Sequence, residues 1–426
     1  MHRARTKDRL NISDGGPRFG STKLAGAALR GALTLAMLSA PLLIVARPVQ
    51  AQTLAVLHNF TGGDDGGGPR SPLTSDGAGN FYGTTGVGGL GAMPGPTPGA
   101  GTVFELSPNV SGGWNETVLY SFCEPYFRST CPDGFGPSGP VTFDKAGNLY
   151  GTTCGGGAYG YQYGPGYGVV FELSPVGTIW TETVLYNFTG GTNGACPANG
   201  LIMDPAGNLY GTSSAGIFEL GPSAGGWTEQ LIYAFGYAAL TMDAAGNIFG
   251  NAETRVFELS PNGKGGWNST SIHTFHNYDV YFSPLVLDQA GNLYGTRTRG
   301  GAKGFGAVFK LGPGKNGKWT KTVLYSFEGG NDGRYPDGGL VFDAAGNLYG
   351  TTAESFGACC HRTFYGCGNI FELVAGSGQL KVLWNFSGTD GEWPYGTMIL
   401  DSAGNLYGTT AYGGSGGYGV AFELTP

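Results

Sequence analysis

After residue 52 the hydrophobic positions fall in short runs, each broken by Gly, Pro, Asn or Ser, and the runs come in sets of four. One set reads Gly139-Pro-Val-Thr-Phe-Asp144, Leu149-Tyr-Gly-Thr-Thr153, Val169-Val-Phe-Glu-Leu173 and Thr183-Val-Leu-Tyr-Asn-Phe188. Runs of this length, rich in β-branched and aromatic residues and bounded by turn formers, predict β-strands. No window holds a sustained helical period. The set recurs seven times, anchored by Asp-x-x-Gly-Asn at Asp76, Asp144, Asp204, Asp243, Asp288, Asp343 and Asp401. Four antiparallel strands repeated radially predict an all-β, seven-bladed β-propeller.

The anchor has a local mechanism. Its middle residues suit a type I turn, and its Gly supplies the left-handed residue of a bulged hairpin loop. The Asp carboxylate can accept the N–H groups of its own turn. These seven Asp are therefore read as structural. Trp114, Trp180, Trp227, Trp267 and Trp319 recur at the start of the fourth strand, which argues for packing. The last set lacks a fourth strand after Val420-Ala-Phe-Glu-Leu424. Val56-Leu-His-Asn-Phe60 matches the missing strand, so the N-terminal strand should complete the last blade and close the ring.

Successive anchors lie 68, 60, 39, 45, 55 and 58 residues apart. The variation falls in the loops joining second to third strands and blade to blade, which open on one face of a propeller. Long individual loops on one face point to a binding face. All seven cysteines lie in these loops: Cys123, Cys131, Cys154, Cys196, Cys359, Cys360 and Cys367. They suggest disulfides, Cys123–Cys131 most directly, then Cys367 with Cys359 or Cys360, and Cys154–Cys196. One cysteine is left over. Their spacing matches no common zinc site, and no metal is expected there.

Blade-to-blade loops share Gly-Gly-x-Asp/Asn-Gly. Asp65, Asn193, Asp332 and Asp390 either close tight turns or present oxygens to the channel mouth, for sugar hydroxyls or weakly for calcium. Arg334, Tyr335, Trp393 and Tyr395 stand beside them and would suit a carbohydrate or peptide surface. No cofactor is otherwise expected. No nucleophile elbow, metalloprotease helix motif or phosphate loop is present, so the chain leans towards a non-catalytic role.

Composition adds the compartment. Residues 1–51 carry a basic start and the apolar stretch 31–46, followed by Ala51, and read as a signal peptide with 52–426 as the propeller. The leader holds eight Lys/Arg and two Asp, which leaves 15 basic and 28 acidic residues, a net charge of −13. Such a surface repels phosphate backbones and argues against nucleic acid.

The unit Asp-x-x-Gly-Asn-Leu-Tyr-Gly-Thr-Thr, then Val-Phe-Glu-Leu-Ser-Pro, resembles the Gloeo/Verruco (GloVer) tandem repeat of exported bacterial proteins. Asp144–Thr153, Asp343–Thr352, Asp401–Thr410 and Gly101–Pro108 carry the resemblance. Gly211-Thr-Ser, Gly250-Asn-Ala and Gly295-Thr-Arg depart from it. Its hairpins are loosely similar to those of NHL-type propellers. The resemblance implies export and a β-repeat fold, and carries over no catalytic residue. The expectation is a secreted or periplasmic monomer, without a membrane span after cleavage, binding a glycan or extracellular protein through its long-loop face. The alternatives are a polysaccharide-active enzyme with carboxylates at the channel mouth and a structural envelope component.

Overall fold

The structure is a computed structural model. It describes residues 52–426 apart from 91–98, 125–130, 160–165, 253, 276–282 and 356–365. The expected leader lies outside the described residues. Seven antiparallel sheets follow one another as the blades of a propeller. Blade 1 is built from Thr74–Ser75, Phe81–Thr85, Thr102–Pro108 and Trp114–Ser121. Blade 2 adds a short strand, Phe135–Pro137, beside Thr142–Phe143, Leu149–Gly155, Val169–Val176 and Ile179–Asn187. Blades 3 to 6 occupy 198–233, 239–274, 286–326 and 341–385. Only two 3₁₀ turns, Gly191–Asn193 and Lys315–Gly317, interrupt the strands among the described residues. Among them no helix is long and apolar enough to cross a membrane.

The ring closes as the sequence predicts. Blade 7 holds Ile399–Leu400, Leu406–Thr410 and Val420–Thr425, and Thr53–Asn59 forms its fourth strand. Thr53 pairs with Thr425 and Asn59 with Val420.

The repeated residues explain how blades hold together. The Gly of Leu-Tyr-Gly-Thr-Thr lies opposite the Phe of Val-Phe-Glu-Leu, as Gly151 does opposite Phe171. A Cβ at Gly151 would sit 2.4 Å from that ring, so only glycine fits. The same Phe meets, edge-on, the Phe that ends the fourth strand of the preceding blade. Ring centroids are 5.0 Å apart for Phe60–Phe104, 5.1 Å for Phe122–Phe171 and 5.3 Å for Phe188–Phe218, Phe327–Phe371 and Phe386–Phe422. The core therefore lies between blades. Each fully buried Phe contributes about 1.5–3 kcal/mol of burial.

A polar clasp accompanies every joint, each donating from one blade to a backbone carbonyl at the entrance of the next. Thr84 donates to the Gly139 carbonyl (3.0 Å), Ser138 to Pro197 (2.8 Å), Asn199 to Ala238 (3.4 Å) and Asn251 to Ser283 (2.9 Å). Thr296 donates to Gly338 (3.0 Å), Thr351 to Pro394 (2.9 Å) and Thr409 to Ser71 (3.0 Å), which closes the circle. The first Thr of Gly-Thr-Thr is thus the usual clasp donor. In blade 2 Ser138 takes that role, and the Thr152 hydroxyl is buried without a partner.

Candidate functional site

The segments entering the first strands of all seven blades surround a central cavity of about 820 Å³. Its wall is mostly small residues and backbone: Gly67, Gly68, Gly136, Gly139, Pro140, Ala239, Pro284 and Gly339 among them. Larger side chains gather on one side. Tyr395, Tyr412 and Tyr418 come from blade 7, Arg70 from the start of blade 1, and Asp337 from blade 6. Tyr395 is the one candidate from the sequence that lines this cavity.

Trp393 stands behind it. Its ring meets Tyr412 edge-on at 5.2 Å and Tyr395 at 6.0 Å, and its indole N–H is buried without a partner. The Arg70 guanidinium donates to the Tyr412 phenol and lies 5.4 Å from that ring's centre. Arg334 forms an ion pair with Glu354 at 2.5 Å and packs 5.2 Å from the Tyr335 ring centre. Asp337 accepts a 2.8 Å hydrogen bond from Thr298. Burial pushes the Asp337 carboxyl up to about 7; the Thr298 hydroxyl opposes the rise and the Glu354 carboxylate adds to it.

Tyr335 and Trp393 hold left-handed backbone, with φ of 57° and 58°. Each precedes a proline, at the place where the first two blades use Gly68 and Gly136, with φ of 64° and 61°. A non-glycine residue there costs about 1–2 kcal/mol. Backbone hydrogen bonds hold both: Tyr335 N–H to Phe305 (2.9 Å) and Trp393 N–H to Cys367 (3.0 Å).

The loop carboxylates and amide are placed elsewhere. Asp65, Asn193, Asp332 and Asp390 point outward and latch their loops to the fourth strand, rather than offering oxygens to the channel. Asp65 accepts from the Thr61 N–H (3.0 Å) and hydroxyl and contacts His58 at 3.1 Å. Asp332 accepts from the Glu328 N–H (2.7 Å), the Gly330 N–H (3.1 Å) and the Tyr325 hydroxyl (3.1 Å). Asp390 accepts from the Ser387 N–H (2.7 Å) and the Trp384 indole (2.9 Å). Asn193 accepts from the Thr189 hydroxyl (2.8 Å) and donates to the Tyr186 phenol. Asp133, not singled out from sequence, does the same with the Cys123 N–H (2.7 Å) and Tyr120 (3.0 Å). The physical reason is the turn itself, whose own N–H groups occupy the carboxylate oxygens. Among the described residues no three His, Cys, Asp or Glu side chains converge as metal ligands.

In the anchor turns one carboxylate oxygen accepts two backbone N–H groups and the other accepts the Asn amide. For Asp144 these are Ala146 (2.8 Å), Asn148 N–H (2.9 Å) and Asn148 Nδ2 (2.9 Å). Asp76, Asp204, Asp243, Asp288, Asp343 and Asp401 repeat the pattern. Cys123 is joined to Cys131 and Cys154 to Cys196. Cys367 is disulfide-bonded too, while Cys359 and Cys360 lie outside the described residues.

The Gloeobacter/Verrucomicrobia repeat matches residues 47–253 and again 229–426. The chain belongs to that family. No curated protein matches it. Among solved structures, this member of the Gloeobacter/Verrucomicrobia repeat family is similar to a fungal alcohol oxidase of the AA5 family in complex with copper. The TM-score is 0.57 at 13% identity, over 88% of this chain and 77% of that one. YCF48 from Cyanidioschyzon merolae gives 0.51 at 11%, over 88% and 99%. A chain described as the extracellular domain of a hybrid two component system from B. thetaiotaomicron also gives 0.51 at 11%, over 88% of this chain and 41% of that one. At such identities the likeness is one of fold.

Proposed function

We propose that the protein is a secreted or periplasmic monomer that binds a glycan, without turning it over, at the mouth of its central channel. The observation that carries this reading is the cavity of about 820 Å³ with Tyr395, Tyr412 and Tyr418 on one side and Arg70 and Asp337 flanking them. Cavities of roughly 300–1,000 Å³ hold small ligands, and aromatic faces with a few fixed polar groups suit sugar rings. The disulfides support a location outside the cytoplasm. A carboxylate-pair hydrolase needs a second acid across the bond to be cut. Asp337 is the lone carboxylate among the described lining residues, which favours recognition over turnover.

Isothermal titration against a panel of oligosaccharides tests this. Saturable binding should be lost in Tyr395→Ala and Tyr412→Ala, with no new reducing ends released by the wild type. Release of product that Asp337→Asn abolishes would instead establish an enzyme.

A further inference from the structure

We propose that the channel mouth selects a saccharide bearing a carboxylate, a sugar acid whose anion docks on Arg70 while its ring lies on the blade 7 tyrosines. This rests on the glycan reading above and names the class of glycan.

The charge pattern points there. The chain after residue 51 carries a net −13, yet the described lining of the cavity holds only one cation, Arg70, and one carboxyl, Asp337. Among the described residues no carboxylate pairs with Arg70; its hydrogen-bond partner is the Tyr412 phenol. Arg334, which does not line the cavity, is paired with Glu354. Asp337 holds its proton up to about pH 7, so below neutrality it does not cancel Arg70. A guanidinium without a counter-ion, held by a phenol against an aromatic wall, favours a planar carboxylate that takes two parallel N–H donors. Tyr412 orients Arg70, and Tyr395 and Tyr418 line the same cavity, so the ionic and aromatic groups lie side by side. The negative field of the whole surface opposes a dense polyanion. Over a screening length of about 8 Å it leaves a single carboxylate at short range unaffected. The site therefore suits a short oligosaccharide ending in one acidic residue.

The test compares glucuronate-, galacturonate- and mannuronate-terminated disaccharides with their methyl esters, by titration calorimetry on the intact protein at pH 6. At least one acid should bind ten-fold or more tightly than its ester, and added salt should weaken the acid alone. Arg70→Gln should reduce the acid to the ester's affinity, and Arg70→Lys should retain part of the difference. An unchanged denaturation midpoint shows that either variant still folds. Equal binding of acid and ester, with Tyr395→Ala abolishing both, would overturn the charge assignment and leave the glycan reading standing. If no saccharide binds, charged or neutral, the underlying reading falls and this one with it.

Discussion

Replacing Glu182 by Gln should make the protein more stable in mild alkali while changing little in mild acid. Glu182 lies on the fourth strand of blade 2, where its Oε1 is buried without a partner. Asp133, the latch of the neighbouring joint, is 6% exposed and keeps its own Oδ1 buried and unpartnered. Burial first, and the Asp133 charge second, push the Glu182 carboxyl from 4.5 up to about 8. A carboxyl that binds its proton more tightly when folded contributes its full stability below about 4.5. It loses that contribution as pH rises through about 8. At about 1.4 kcal/mol per pH unit the ceiling is about 5 kcal/mol. Solvent reaches part of the side chain, so about 2 kcal/mol is the expected effect. Urea unfolding at pH 5 and pH 8.5, followed by tryptophan fluorescence, reads it out. Wild type should lose stability between the two values. Glu182→Gln should match it at pH 5 and exceed it by about 2 kcal/mol at pH 8.5. The equivalent position in blade 3 is an internal control. There Asn193 replaces the aspartate and Glu229 accepts from Tyr186 at 3.3 Å, so Glu229→Gln should gain less. If wild type and Glu182→Gln show the same pH dependence, the buried carboxyl pair is not titrating and the reasoning fails.

Acid works in the opposite direction on the anchor turns. Burial alone would raise Asp144, Asp288 and Asp343, but their Asn, Tyr and backbone donors hold them below the usual carboxylate range. Their contribution is lost as pH falls below that range, so stability should peak in mild acid, as unfolding midpoints across pH 2–9 would show. Thr351→Val removes a clasp and leaves the Pro394 carbonyl unpaired, which should cost about 1–3 kcal/mol in denaturant unfolding. Deleting residues 53–61 removes the closing strand and should yield aggregates in light scattering; a soluble, equally stable deletion would disprove closure by that strand. Converting Cys154 and Cys196 to Ser should cost about 2–4 kcal/mol in the same unfolding assay, since that bond spans 42 residues.

The fold was legible because its determinants repeat. Gly151 under Phe171, inside a blade, and Thr351 on Pro394, between blades, are contacts that recur around the ring, so each leaves a periodic mark in the sequence. Even the departures follow the logic, with Asn251 donating where its relatives use Thr. The latches were half legible. Gly-Gly-x-Asp/Asn-Gly announced a turn, but whether the side chain faced the channel or the outer strand depended on a partner six or seven residues upstream. His58 with Asp65 and Tyr325 with Asp332 carry that spacing, and an aromatic or His paired with a loop Asp could have identified it. Arg70, Tyr412 and Asp337 gave no signal at all. Each occurs once, in a segment whose neighbours differ from blade to blade, and only ring closure brings them to one cavity.

The clasps have a consequence for how such a protein can change over generations. Each donor reaches a main-chain oxygen, which every residue type supplies. A duplicated or exchanged blade therefore needs no matching side chain in its neighbour in order to dock. Loops can lengthen and diversify while the joints stay compatible, so new specificities at the channel mouth can arise one blade at a time.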